Sequence, residues 1–278
     1  MIRAAAIQLC SSDTPLDNLE ATCSLITEAA ANNASLIVTP EVTNCVSTSR
    51  AHQSAVLTTQ DRDPTLLAIR KLCKELSVTV VIGSLALKSE TDTRFVNRSF
   101  VIGPDGDIIN TYDKIHMFDV ALSDTETYHE SSGYAPGDSA VLSETPVGNI
   151  GLSICYDVRF PHLYRRLAHH GADILTVPAA FSVTTGQAHW DVLLRARAIE
   201  NGCYVIAAAQ TGTHAQQNSD PRATYGHSMI ISPWGDVLSG LEADIGICYA
   251  DLDLSRVKVA RERVPSLLNE RQFDGPIR

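Results

Sequence analysis

Two distant stretches of this chain repeat each other in register: Ser99-Phe-Val-Ile-Gly-Pro-Asp-Gly-Asp-Ile108 and Ser228-Met-Ile-Ile-Ser-Pro-Trp-Gly-Asp-Val237. Proline and glycine in the middle suit a tight turn between short apolar runs, so each stretch predicts a β-hairpin. Ala34 to Pro40 and Ala172 to Pro178 share a second pattern, an apolar run that stops at a proline. A chain that repeats strands and turns in the same order is expected to fold as two related halves. Each would be a sheet with helices on one side, the two packed sheet against sheet. No linker-like stretch divides them, so residues 1–278 are expected to form one α/β domain, with no further domain at either end.

The intervening elements fit that plan. Ile2 to Cys10 reads as a first strand. Thr14-Pro15 then opens a helix whose Leu16, Leu19, Cys23, Ile26 and Ala30 recur at steps of three and four. Ser35 to Thr39 predicts a buried strand, Leu66 to Leu76 a helix and Val78 to Ile82 another strand. In the second half the pattern predicts a helix over about 161–170, a strand over 173–177, a helix around 190–201 and a strand over 204–208. Phe118 to Asp138 is polar, with Gly133, Pro136 and Gly137, and reads as a long surface loop.

Composition narrows the function. A net charge of -10 spread without blocks argues against nucleic acid or anionic membrane as a partner. The apolar start is too short to span a bilayer, which points to a cytoplasmic chain. The seven cysteines are odd in number and contain no CxxC, so neither a zinc site nor a disulfide framework is expected. Most read as small buried hydrophobes in a reducing compartment.

Cys155 is the exception. The run Gly148-Asn-Ile-Gly-Leu-Ser-Ile154 stops at it, and Pro161 opens a helix soon afterwards. A helix start presents unpaired NH groups and a partial positive charge, which stabilise a thiolate and can cradle an oxyanion. A cysteine amidase needs a nucleophile, a proton-handling group and donors at the developing oxyanion. The nearby His162, His169 and His170 lie along the following helix and suit surface or capping roles. Standing at strand ends instead are Glu41 and Lys114, and the long loop carries Glu130.

Pro40-Glu41, Tyr112-Asp-Lys-Ile-His116 and Cys155-Tyr-Asp-Val-Arg-Phe-Pro161 resemble the three signature blocks of the nitrilase, or carbon-nitrogen hydrolase, superfamily, almost end to end. The resemblance implies a four-layer α-β-β-α sandwich, homodimers or homotetramers, and no metal or organic cofactor. By position it makes Cys155 the nucleophile, Glu41 the general base and Lys114 the cation at the oxyanion, with the Tyr156 NH as second donor. Glu130 matches the family's further glutamate, which positions the substrate amide or assists proton transfer.

Thr184-Thr-Gly186, Ala188-His-Trp190, Leu194 to Glu200 and Tyr225-Gly-His-Ser-Met229 look most like the branch that hydrolyses deaminated glutathione to 2-oxoglutarate and cysteinylglycine. The ω-amidase branch comes next, then N-carbamoyl amino acid hydrolases or a non-catalytic binding protein on the same fold. Such substrates are small anionic amides, and an acidic protein needs a local cation to hold them. Arg159 is the candidate anchor, or it forms an ion pair with Asp157. Thr184 and Thr185 are candidates to shape the pocket through their hydroxyls, and His189 and Trp190 to open a helix. His162 replaces the glutamate common in close relatives, and the loop Gln216 to Arg222 is slightly long.

Overall fold

The computed structural model describes residues 1–124, 126–217 and 221–276. In the first half, β1 (Ile2–Gln8) leads through α1 (Pro15–Ala31) to β2 (Leu36–Val38). Then α2 (Arg50–Val56) and α3 (Pro64–Leu76) precede β3 (Thr79–Lys88), β4 (Phe95–Ile102) and β5 (Ile108–Asp113). A crossing segment holds β6 (Asp119–Ala121), β7 (Thr127–His129), β8 (Tyr134–Ala135) and β9 (Leu142–Thr145). The second half runs β10 (Gly148–Leu152), α4 (Pro161–His169), β11 (Ile174–Thr176), α5 (Val183–Asn201) and β12 (Tyr204–Ala207). It ends with β13 (Thr211–His214), β14 (Arg222–Tyr225), β15 (Met229–Ile231), β16 (Val237–Gly240), β17 (Gly246–Leu252) and α6 (Ser255–Arg263).

The first sheet is ordered β17-β1-β2-β3-β4-β5 and the second β9-β10-β11-β12-β15-β16. Polarity repeats with order. In each sheet three parallel strands are flanked by one antiparallel edge strand on one side and an antiparallel hairpin on the other. The duplicated hairpins are therefore β4-β5 and β15-β16, at equivalent places. Each half also sends its following strand across to edge the other sheet: β9 joins the second and β17 the first.

Alternation along the strands makes the layers. Ala4, Ala6, Leu36, Val38 and Val81 share a core with Ile150, Leu152, Ile174 and Leu175 of the second sheet. Their neighbours Ala5, Ile7, Ile37, Val80 and Ile82 face the other way, onto Ile26 and Ala29 of α1 and Leu66, Ile69 and Cys73 of α3. Beyond the second sheet lie Leu163, Tyr164 and Leu167 of α4 and Trp190, Leu194 and Ala198 of α5. A period of two on the strands and 3.6 on the helices thus produces an α-β-β-α sandwich. Gly83 lets the halves pack closely, since a Cβ there would lie 2.4 Å from Pro178 and 2.0 Å from the Thr39 carbonyl oxygen.

Four departures from the sequence reading have local causes. α5 begins at Val183, well before Trp190, because Ser182 caps it by accepting a hydrogen bond from the Thr185 amide. His189 and Trp190 therefore sit inside that helix. Gly186 within it leaves room for Tyr225, whose ring a Cβ there would strike. β3 is longer than Val78 to Ile82, its added residues pairing with β4 from Leu85 to Lys88. α2, capped by Ser49, was not anticipated, since it is short and mostly polar. The loop from Phe118 to Asp138 contains the β6-β7 hairpin. Residues 218–220 of the Gln216 to Arg222 loop lie outside the described residues.

Candidate active site

Glu41 follows β2 and Cys155 follows β10, so both stand beyond the carboxyl ends of parallel strands, one in each sheet. Such crevices are where open α/β sheets hold ligands. Lys114 follows β5 directly, and Glu130 begins a short 3-10 turn after β7. All four line one cavity of about 300 Å³, together with Asn97, Phe118, Tyr128, Tyr134, Tyr156 and Phe181.

Lys114 is 2% exposed, and its Nζ donates to Glu41 Oε1 at 2.8 Å and to Glu130 Oε2 at 2.8 Å. Glu41 Oε1 also accepts from Asn97 Nδ2 at 2.9 Å, while its Oε2 accepts from the Ala180 amide at 2.8 Å. Glu130 Oε2 is fixed by the Phe118 amide at 2.6 Å. Asn97 was missed by the sequence reading. Its signal was a polar residue in the mostly apolar strand Phe95 to Ile102, where it bridges both carboxylates and, among the described residues, keeps a buried Oδ1 without a partner.

The protonation pattern differs from the thiolate expected at a helix start. Burial pushes the Cys155 thiol well above its ordinary value, and the adjacent Glu41 carboxylate pushes it further, outweighing the opposing pull of Lys114. Burial would also raise Glu41, but the Lys114 ammonium, helped by Arg222 and a hydrogen bond from the Cys155 thiol, holds it below the usual carboxylate range. Lys114 is itself held well above its ordinary value, since Glu130 and Glu41 outweigh its desolvation. The resting site is therefore a neutral thiol beside an ionised carboxylate, a pair poised for proton transfer. The two glutamates share the lysine as hydrogen-bond donor.

The elbow itself is a 3-10 turn, Cys155–Arg159, with α4 following at Pro161. Cys155 has φ of +51° and Val42, next to Glu41, +46°, a region that branched residues avoid and that clusters at functional sites. Hydrogen bonds hold both: the Cys155 amide donates to Pro178 O at 2.8 Å and the Val42 amide to Ser84 Oγ at 2.7 Å. The Tyr156 amide lies in the first turn of the 3-10 segment, where an NH lacks an intrahelical acceptor. Asp157 is fully buried and binds the elbow to the lysine-bearing segment. It accepts from Tyr112 OH at 2.7 Å and the Ile154 amide at 2.8 Å on one oxygen, and from the His116 amide and Nδ1 on the other.

The candidate substrate contacts separate. Tyr156 and Thr185 line the cavity, the latter with its hydroxyl against Ser182 Oγ at 2.8 Å. Thr184 is exposed and donates to Glu126 in the turn between β6 and β7, so it braces that hairpin from outside the cavity. Arg159 is absent from the lining and makes no ion pair with Asp157. Its guanidinium lies 5.9 Å from the Tyr156 ring and 5.5 Å from the Phe181 ring, against His189 Nδ1 at 3.3 Å. The cations that do line the cavity, besides Lys114, are Arg50 and Arg222.

Residues 3–262 match the model of the carbon-nitrogen hydrolase family. The chain belongs to that family. Over 269 residues it is 39% identical to the deaminated glutathione amidase of a Synechocystis strain, covering 95% of this chain and 96% of that protein. It is 35% identical over 269 residues to the omega-amidase NIT2 of Homo sapiens, covering 97% and 95%. Among solved structures it resembles the C. elegans NitFhit protein, with a TM-score of 0.88 and 34% identity. That match covers 97% of this chain and 65% of the other, so the chain spans somewhat less than two thirds of NitFhit. Saccharomyces cerevisiae Nit3, a nitrilase superfamily member, matches with a TM-score of 0.84 and 27% identity, covering 97% and 96%. This carbon-nitrogen hydrolase is thus an amidase by family.

Asp157→Asn turns an amide NH2 toward two of the four donors that the carboxylate now satisfies. It should cost about 3 kcal/mol of stability, read from the urea midpoint, and lower kcat as the elbow loosens. An unchanged midpoint would show that Asp157 does not hold the elbow.

Proposed function

We propose that the chain hydrolyses a small carboxylated amide through a thioester on Cys155, and that its substrate is deaminated glutathione. The observation that carries the reading is the convergence of Glu41, Lys114, Glu130 and Cys155, from four separate segments, on one cavity. Glu41 takes the thiol proton as Sγ attacks the amide carbonyl carbon. The tetrahedral oxyanion is met by Lys114 Nζ and the Tyr156 amide, donors that are in place before charge develops. The C–N bond breaks as Glu41 returns the proton to the leaving nitrogen, and the amine departs. Water then loses a proton to Glu41 and attacks the thioester, releasing the carboxylic acid and restoring the thiol. Glu130 orients Lys114 and the amide nitrogen. No step calls for a metal or an organic cofactor.

The naming of relatives at 36–39% identity supports deaminated glutathione as the substrate, and the 35% match to NIT2 makes 2-oxoglutaramate the competing one. Cleavage of the former yields 2-oxoglutarate and cysteinylglycine. Arg159, stacked beside the cavity-lining Tyr156 and Phe181, is proposed to take part in carboxylate recognition from the cavity's edge, and Thr185 to shape its wall.

The chain is further proposed to act as a homodimer or homotetramer in the cytoplasm. Val192 and Ile199 on α5 and Trp234 and Val237 around the β15-β16 turn are 47–66% exposed, a surface that a second copy would cover. Seven cysteines with free thiols suit a reducing compartment. Among the described residues, no helix is long and apolar enough to cross a membrane.

Cys155→Ala should lower kcat on deaminated glutathione by about four orders of magnitude or more, and wild type should show a higher kcat/KM on it than on 2-oxoglutaramate or a carbamoyl amino acid. Retained turnover in the variant would refute the nucleophile, and a reversed ranking would refute the substrate. Light scattering should give a multiple of the chain mass; a monomer would contradict the proposed assembly.

A further inference from the structure

The cavity floor holds two carboxylates, Glu41 and Glu130, against one ammonium, Lys114, which leaves an excess negative charge beside the reacting atoms. An anionic substrate approaching such a floor is repelled unless a cation nearby receives it. Arg94, Arg98 and Arg197 are each matched by a carboxylate of the fold itself. Arg222 and Arg50 differ: both line the cavity, and among the described residues neither forms an ion pair.

Their hydrogen-bond and ring partners are neutral, although the charge of Arg222 also bears on Glu41. Arg222, at the start of β14, donates from NH2 to the Ala180 carbonyl at 2.7 Å and stands 6.0 Å from the Tyr128 ring. Among the described residues its Nε is buried without an acceptor. A buried N–H with no partner is rare in a folded chain. Arg50, at the start of α2, donates to Gln53 Oε1 at 2.8 Å and stands 4.8 Å from the Tyr134 ring. Gly133 makes room for it, since a Cβ there would fall 2.0 Å from the guanidinium carbon.

We infer that Arg222, assisted by Arg50, receives the carboxylate of the substrate and so restricts this enzyme to anionic amides. The inference rests on the amidase reading and adds a specificity residue to it. Placement favours Arg222 as the principal partner. Ala180, whose carbonyl anchors its NH2, is the residue whose amide holds Glu41 Oε2, so guanidinium and general base share one backbone support. A planar guanidinium fixed by one NH2 retains its other donors for a carboxylate in a defined direction.

The test is a ratio of kcat/KM values for glutaramate and pentanamide, which differ by a carboxylate against a methyl group. Because both amides use the same general base, any effect of Arg222 on Glu41 cancels. Arg222→Gln should lower the ratio about thirtyfold or more, mainly through KM for glutaramate, and Arg222→Lys should restore part of it. A ratio unchanged in both variants would overturn the inference. If wild type cleaved neither amide, the amidase reading would fall and glutarate binding by calorimetry would still decide. Affinity at least tenfold tighter in wild type than in Arg222→Gln supports the receptor, and equal affinity removes it.

Discussion

The buried ammonium of Lys114 is the interaction on which the rest of the site depends. A charge so far from water is tolerated only when paired and hydrogen-bonded, and removing a partner from such a pair is strongly destabilising. Lys114 meets that demand with two carboxylates that arrive from different directions, Glu41 from the turn after β2 and Glu130 from the turn after β7. Satisfying one lysine therefore fixes two otherwise independent segments. Asn97 ties the carboxylates together from the strand between them, and the Ala180 amide ties Glu41 to the second sheet.

The same network sets the chemistry. With the lysine charge close by, Glu41 stays ionised although buried, and a buried thiol beside an ionised carboxylate stays protonated. A preformed thiolate is thereby replaced by a proton transfer that coincides with attack. Asp157 performs a comparable structural service at the other side of the nucleophile, since Tyr112 and His116 flank Lys114 in sequence and both donate to it. The strained elbow and the lysine are thus held in mutual register by a single buried carboxylate.

Much of this could be read from the sequence for identifiable reasons. The duplicated hairpins and the alternating apolar strands encode the two sheets, because each depends on periods of a few residues. Glu41, Lys114, Glu130 and Cys155 were recognisable because ordered motifs surround them, and the structure gathers them at one cavity. Asn97, Arg50 and Arg222 were not, since a polar residue that acts through contacts across the fold leaves no local period. The resting state of the thiol was not legible either: a helix start that favours a thiolate was visible, whereas burial and the competing carboxylate exist only once the sheets have packed. Arg159 shows the same limit: its closeness to Cys155 in sequence did not reveal that its guanidinium lies against His189 and near the Tyr156 and Phe181 rings.

In the proposed reaction Cys155 carries the acyl group. Mass spectrometry of protein acid-quenched during turnover of deaminated glutathione tests it most directly. The predicted result is an adduct with the mass of the 2-oxoglutaryl group on the peptide containing Cys155, absent from Cys155→Ala. Turnover with no adduct at any quench time, or an adduct on another residue, would contradict it.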